Sequence, residues 1–150
     1  MKVAIRSFSF KRGLPSDSAG DGGGFVFDCR ALPNPFWDEA LRYYSGCDAP
    51  VARFMDAYGV EVEAFMRPVV VLVENSLRVY AADGRTRLAV AFGCTGGQHR
   101  SVYCAERLAA HLRAKGGVEV GVEHAAQRIG KWNQHKKPLN HTPLFLKSLA

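Results

Sequence analysis

A single α/β domain with a mixed or parallel sheet of about four strands is predicted, and three observations predict it. Short β-prone stretches with period-two alternation occur at Val3–Phe10 and Phe25–Arg30. Between residues 60 and 80, Val62, Phe65, Met66, Val69, Val73 and Leu77 recur at helical spacing. Residues 86–123 then read strand, glycine turn, helix, strand, and such a crossover unit joins a parallel pair. A chain of 150 residues suffices for one well-cored domain and is short for two.

The elements follow in order. In the first strand Val3, Ile5, Ser7 and Ser9 share one face, and Ala4, Arg6, Phe8 and Phe10 the other. Lys11-Arg12-Gly13 ends it as a basic loop, and the glycine-rich run Ser16–Gly24 has the composition of a connector. Phe25–Arg30 forms the second strand. Pro33-Asn34-Pro35 then imposes an extended or turned loop before Phe36-Trp37-Asp38. Asp48 or Ser45 is placed to cap a helix from Pro50 to Tyr58, with proline near its first turn. Pro68 lies inside the next helical pattern, so a helix start or a kink is expected there. Asp83-Gly84 turns the chain into the third strand, Arg87–Phe92. A helix from Gln98 to Lys115 turns Val102, Ala105, Leu108, Ala109 and Leu112 to the core and ends at Gly116-Gly117. Val118–Glu123 is the fourth strand. The expected division is a domain over residues 1–124 and a basic tail over residues 125–150.

Composition narrows the function. The hydrophobic fraction of 47% and the charged fraction of 23% are ordinary for a folded domain. A net charge of +6 suits an anionic partner, either nucleic acid or a phosphorylated small molecule. The four cysteines, Cys29, Cys47, Cys94 and Cys104, form no CxxC pair, and no histidine spacing completes a zinc site. No metal and no cofactor is therefore expected. The N-terminus lacks a signal-peptide core, and no run approaches a membrane span. Free thiols in a reducing cytoplasm are the expected setting.

The chemistry concentrates in Ala91-Phe92-Gly93-Cys94-Thr95-Gly96-Gly97-Gln98-His99-Arg100-Ser101. A strand ends there, a glycine turn follows and a helix begins. That order aims backbone N–H groups and a helix dipole at one point, which predicts an oxyanion site. Gly96 and Gly97 permit close backbone approach, and Arg100 offers a planar charged fork. His99 is expected to donate to the ligand or to cap local backbone. Asp28 and Arg30 end the second strand, and Lys11 and Arg12 the first. In a parallel sheet they share the ligand-binding edge with the turn. No GxxxxGK[ST] loop occurs, so ATP hydrolysis is not expected. The spacing Cys94-x-x-Gly97-x-x-Arg100-Ser101 also fits a cysteine-dependent phosphatase loop. In that alternative Cys94 is the nucleophile, Arg100 holds the phosphoryl oxygens and Asp38 is the acid, although Gly93 stands where such loops usually carry histidine. A third reading is RNA binding through Lys11, Arg12 and the tail residues Lys131, Lys136 and Lys137, which are interleaved with Trp132.

With those residues in view, the chain resembles the C-terminal domain of RapZ, the bacterial RNase adapter family, over roughly residues 7–124. The resemblance rests on Ser7–Pro15, on Phe27–Trp37 and on Gly93–Tyr103. It implies an α/β domain whose glycine turn lines a pocket that senses glucosamine 6-phosphate. It also implies help in binding a small regulatory RNA and presenting it to an endoribonuclease, with no phosphatase activity and with self-association left open. By position, Thr95, Gly96, Gly97, His99 and Arg100 take the anion contacts, flanked by Cys94, Gln98 and Ser101, with Lys11, Asp28 and Arg30 nearby. Members of this nucleotide-binding family carry an N-terminal domain with a Walker A loop, which this chain lacks. They often have histidine where Phe36 stands, and a His-Arg-[Asp/Thr]-Leu segment where His124-Ala125-Ala126-Gln127 stands here.

Overall fold

The computed structural model describes residues 1–16 and 24–126. Four strands, β1 (Lys2–Ser9), β2 (Gly24–Asp28), β3 (Arg87–Cys94) and β4 (Glu119–His124), form one sheet in the order β2-β3-β1-β4. Every pairing is parallel. The expected α/β fold is therefore present in its fully parallel form. β3 and β4, expected as a pair, instead flank β1, because the helix between them carries the chain across β1.

Three α-helices complete the domain: α1 (Ala49–Ala57), α2 (Gly59–Ala82) and α3 (Arg100–Lys115). Lys11-Arg12, read as loop, lies in a 3-10 turn, Phe10–Arg12, closed by Gly13 at φ 85°. α2 runs unbroken through Pro68 for 24 residues, so no helix begins there. Val62, Met66, Val69 and Val73 bury one face of that helix, and this packing runs on both sides of the proline. α3 begins at Arg100 rather than Gln98, since residues 95–99 form the turn. It ends at Gly116, whose φ of 75° closes the last turn through Gly116 N–H to Leu112 O at 3.0 Å.

The core lies between the helices and one face of the sheet. Val3 and Ile5 of β1, Leu88, Val90 and Phe92 of β3, and Val102, Leu108 and Leu112 of α3 are all essentially inaccessible. Burying each large side chain contributes about 1.5–3 kcal/mol. Tyr103 donates to Asp56 Oδ1 at 2.6 Å and accepts from Arg107 Nη1 at 2.9 Å, while Arg107 also pairs with Glu63; this ties α3 to α1 and α2. The opposite sheet face carries Ala4, Arg6, Val26, Ala89, Gly121 and Glu123 and forms a concavity of about 630 Å³. Arg6 pairs with Glu123 there and donates to Ser16 O at 3.1 Å.

Parallel register brings the strand ends to one edge. Ser9 lies opposite Cys94, Asp28 opposite Gly93, and His124 opposite Ser7. That edge carries the site.

Candidate anion site

β3 delivers Cys94 to the edge, and the turn Thr95–His99 leads into the N-terminus of α3. Gly97 adopts φ 68° and packs so tightly under β1 that a Cβ would lie 2.9 Å from Phe8 C and Ser9 N. Ser9 Oγ donates to Thr95 O at 2.6 Å. The turn is thus pinned against the end of β1. The first N–H groups of α3 have no acceptor within the helix, and the helix dipole adds partial positive charge.

A cavity of about 200 Å³ opens over this turn. Of the residues expected to contact a ligand, Lys11, Cys94, Thr95, Gly96, Gln98, His99 and Arg100 line it. Asn34 and Phe36 complete the wall. Asn34 accepts from Phe36 N–H at 3.1 Å, and the Arg42 guanidinium lies 4.8 Å from the Phe36 ring centre. Phe36 thus presents a half-exposed ring at the mouth of the cavity, with the Arg42 guanidinium over it. The larger concavity on the bare sheet face shares none of these residues.

Several polar groups in the wall already have structural work. Arg100 is 6% exposed and donates through Nη1 to Arg30 O at 2.7 Å and Leu32 O at 3.2 Å. His99 Nε2–H donates to Leu41 O at 3.0 Å, and burial lowers its pKa to about 4, so the ring is neutral at pH 7. Gln98 Nε2 donates to Arg42 O and Tyr44 O at 2.6 and 2.7 Å. These three side chains hang the 30–45 segment on the turn. For His99 this is the backbone-capping alternative of the two expected, and for Arg100 and Gln98 the bonds engage Nη1 and Nε2. Lys11 differs: its side chain is exposed, with no partner among the described residues, and is available as a cation.

Gly97, Ser101, Asp28 and Arg30 do not line the cavity. Ser101 is fully buried, with Oγ 3.1 Å from Cys94 Sγ. Asp28 and Arg30 form a bidentate pair at 2.7–3.0 Å, and the Arg30 hydrogen bonds hold the Asp28 carboxyl below its ordinary range. The Arg30 guanidinium stacks on Phe10 at 4.1 Å. Phe8 and Phe10 in turn roof Gly93, where a Cβ would meet their rings at 2.4–2.5 Å. This aromatic roof is the reason glycine, rather than histidine, precedes Cys94.

The phosphatase arrangement is incomplete. Asp38 is absent from the cavity wall, and its carboxylate accepts from Ala40 N–H at 2.9 Å as the cap of a short 3-10 helix. Cys94 is 2% exposed. The tail candidates Lys131, Lys136 and Lys137 lie outside the described residues. Arg12 is exposed on the 3-10 turn beside Lys11. All four cysteines are free thiols, and Cys29 is pushed far up by its hydrogen bond with Cys104 and by burial. No helix among the described residues is long and apolar enough to cross a membrane.

Reading from residues alone overlooked Gly46. A Cβ there would sit 2.4 Å from both His99 O and Tyr103 N, and Gly46 N–H donates to Gln98 O at 2.9 Å. Its signal was only a glycine between Ser45 and Cys47.

A parallel α/β sheet with a glycine turn, a helix N-terminus and a lysine converging on a small cavity at the strand ends is an open-sheet domain whose site has the geometry to hold an anion. The family model for the RapZ C-terminal domain matches residues 1–128, and the chain belongs to that family. A nucleotide-binding protein of Cupriavidus pinatubonensis is 48% identical over 120 residues, covering 80% of this chain and 39% of the relative. One of Halorhodospira halophila is 44% identical over 124 residues, covering 83% and 41%. One of Xanthomonas axonopodis pv. citri is 42% identical over 127 residues, covering 85% and 43%. The chain spans about two fifths of the length of these curated relatives. They carry names of binding proteins rather than enzymes.

Proposed function

We propose that this domain binds a phosphorylated small molecule of the amino-sugar phosphate class at the Cys94–Ser101 turn and acts as a sensor. The phosphate sits on the N–H groups of Thr95, Gly96 and the start of α3, with Lys11 closing over it. The sugar lies against Asn34 and Phe36. One observation carries this reading: the turn, the helix N-terminus and the Lys11 side chain, which has no partner among the described residues, meet at a single cavity of about 200 Å³. That volume is below the ~300–1,000 Å³ typical of drug-sized ligands and favours a compact phosphosugar over a dinucleotide. The nucleotide-binding names belong to relatives more than twice as long, and this chain has no Walker A loop. By the family resemblance, occupancy then tunes contact with RNA or a ribonuclease, through Lys11, Arg12 and the basic tail.

Calorimetric titration with glucosamine 6-phosphate tests the reading, with glucosamine and inorganic phosphate as controls. Binding of the phosphosugar in preference to both supports a sensor. Equal binding of phosphate, or none of either, overturns it. Cys94→Ser keeps the affinity in a sensor, whereas turnover of a phosphate ester that is lost in Cys94→Ser would establish the phosphatase instead.

A further inference from the structure

Outside the cavity wall, beside α3, three side chains from distant parts of the chain converge. Cys47 comes from the loop before α1, Glu106 from α3 and His124 from the end of β4. Cys47 Sγ is 3.6 Å from Glu106 Oε1, and His124 Nε2 is 2.7 Å from the same oxygen. All three ligand-capable atoms lie within 4.8 Å of one another. We propose that Cys47, Glu106 and His124 form a mononuclear site for a divalent cation of the zinc class.

The donor set decides the class. One thiolate, one imidazole and one carboxylate suit a borderline ion, whereas calcium and magnesium require oxygen ligands. Tetrahedral zinc, with Zn–S about 2.3 Å and Zn–N or Zn–O about 2.0–2.2 Å, sets its ligand atoms roughly 3.3–3.6 Å apart. The sulfur–oxygen distance already meets this. The imidazole–carboxylate contact is a hydrogen bond, and the metal replaces its proton while the pair opens by roughly 0.7 Å. The outer contacts agree. His124 Nδ1 lies 2.7 Å from the Oγ of fully buried Ser7. Without an ion Nε2–H donates to Glu106 and Nδ1 accepts from the Ser7 hydroxyl; with Nε2 on the metal the ring proton moves to Nδ1, and Ser7 Oγ accepts it. The His124 side chain is 10% exposed and held in place, while Cys47 and Glu106 face solvent and admit the ion with a water as fourth ligand.

Spacing rules missed this set because its members are 59 and 18 residues apart. The ion would join the 45–48 loop, α3 and β4. Since Gly46 N–H is bonded to Gln98 O, the metal also braces the anion-binding turn from behind. Nothing in this proposal depends on which anion the turn holds.

Cobalt(II) titration of the reduced wild-type chain tests it, followed by near-ultraviolet and visible absorption. The expected result is one equivalent of tetrahedral cobalt with a thiolate-to-cobalt charge-transfer band, displaced by zinc. Cys47→Ala abolishes the band and weakens zinc binding by more than the roughly 10–100-fold that losing an outer hydrogen-bond partner costs. Glu106→Gln weakens zinc binding while the thiolate band persists at high cobalt. Both changes lie at the surface, and far-ultraviolet circular dichroism confirms that the variants fold. Absence of saturable binding, or wild-type and Cys47→Ala chains that bind zinc equally, overturns the proposal, the latter locating any bound ion at other groups.

Discussion

Arg100 shows how one residue type serves two ends. The sequence marks it as an anion ligand, yet its guanidinium spends Nη1 on the carbonyls of Arg30 and Leu32. Arg100→Ala should destabilise the domain by about 2–4 kcal/mol, combining two charge-assisted hydrogen bonds with lost packing. Urea unfolding checks this, and an unchanged midpoint would refute it. His99 gives a pH signature. Its folded pKa of about 4 lies below the unfolded value near 6.5, so the folded state binds fewer protons between those limits. The contribution is complete above pH 6.5 and is lost as pH falls towards 4, a change on the order of 3 kcal/mol. His99→Asn should remove that part of the acid sensitivity, read as a smaller fall in urea midpoint between pH 7 and pH 4.5. In the proposed site Lys11 supplies the cation, and Lys11→Ala should weaken phosphosugar binding about tenfold without moving the melting temperature. The residue types at the turn were legible in the sequence; how each spends its donors was not. A buried arginine and a ligand-binding arginine look alike until the carbonyls of a segment some 70 positions away are placed.

At the scale of elements, periodicity marked β1 and the covered faces of α2 and α3, because burial on one face imposes it, while caps and turn residues marked α1 and the ends of the other strands. Val3, Ile5, Ser7 and Ser9 do share the covered face of β1. Phe8, on the other face, is buried as well, because its ring packs over Gly93. Pro68 decides one of the two expectations at its position: no helix begins there. Its ring removes one hydrogen bond and strains the preceding turn, but the apolar stripe on either side keeps α2 whole. Pro68→Ala, at an exposed position, should stabilise the domain by about 1–3 kcal/mol, seen as a higher urea midpoint. Gly46 predicts the reverse. Gly46→Ala pushes a Cβ into the backbone of α3 and should cost about 1–3 kcal/mol, with weaker ligand binding because the turn is displaced. A midpoint equal to wild type would show that the loop simply yields.

Across the whole molecule, what the sequence hid was adjacency. The strand–helix–strand unit announced a parallel arrangement, and the sheet is parallel throughout. No local pattern says that β1 enters between β3 and β4, because strand order is settled by which apolar edges fit and by the hand of each crossover. That insertion makes the site, since it brings Ser9 and Lys11 against the turn after Cys94. It also governs how the protein comes into being. β1 is made before the other strands of this sheet, yet both of its neighbours lie late in the domain, at residues 87–94 and 119–124. Such distant pairing makes assembly slow and leaves an apolar segment without its partners in the meantime. During translation the nascent chain must carry an unmatched β1 past two helices, and the sheet can close only when the fourth strand has emerged.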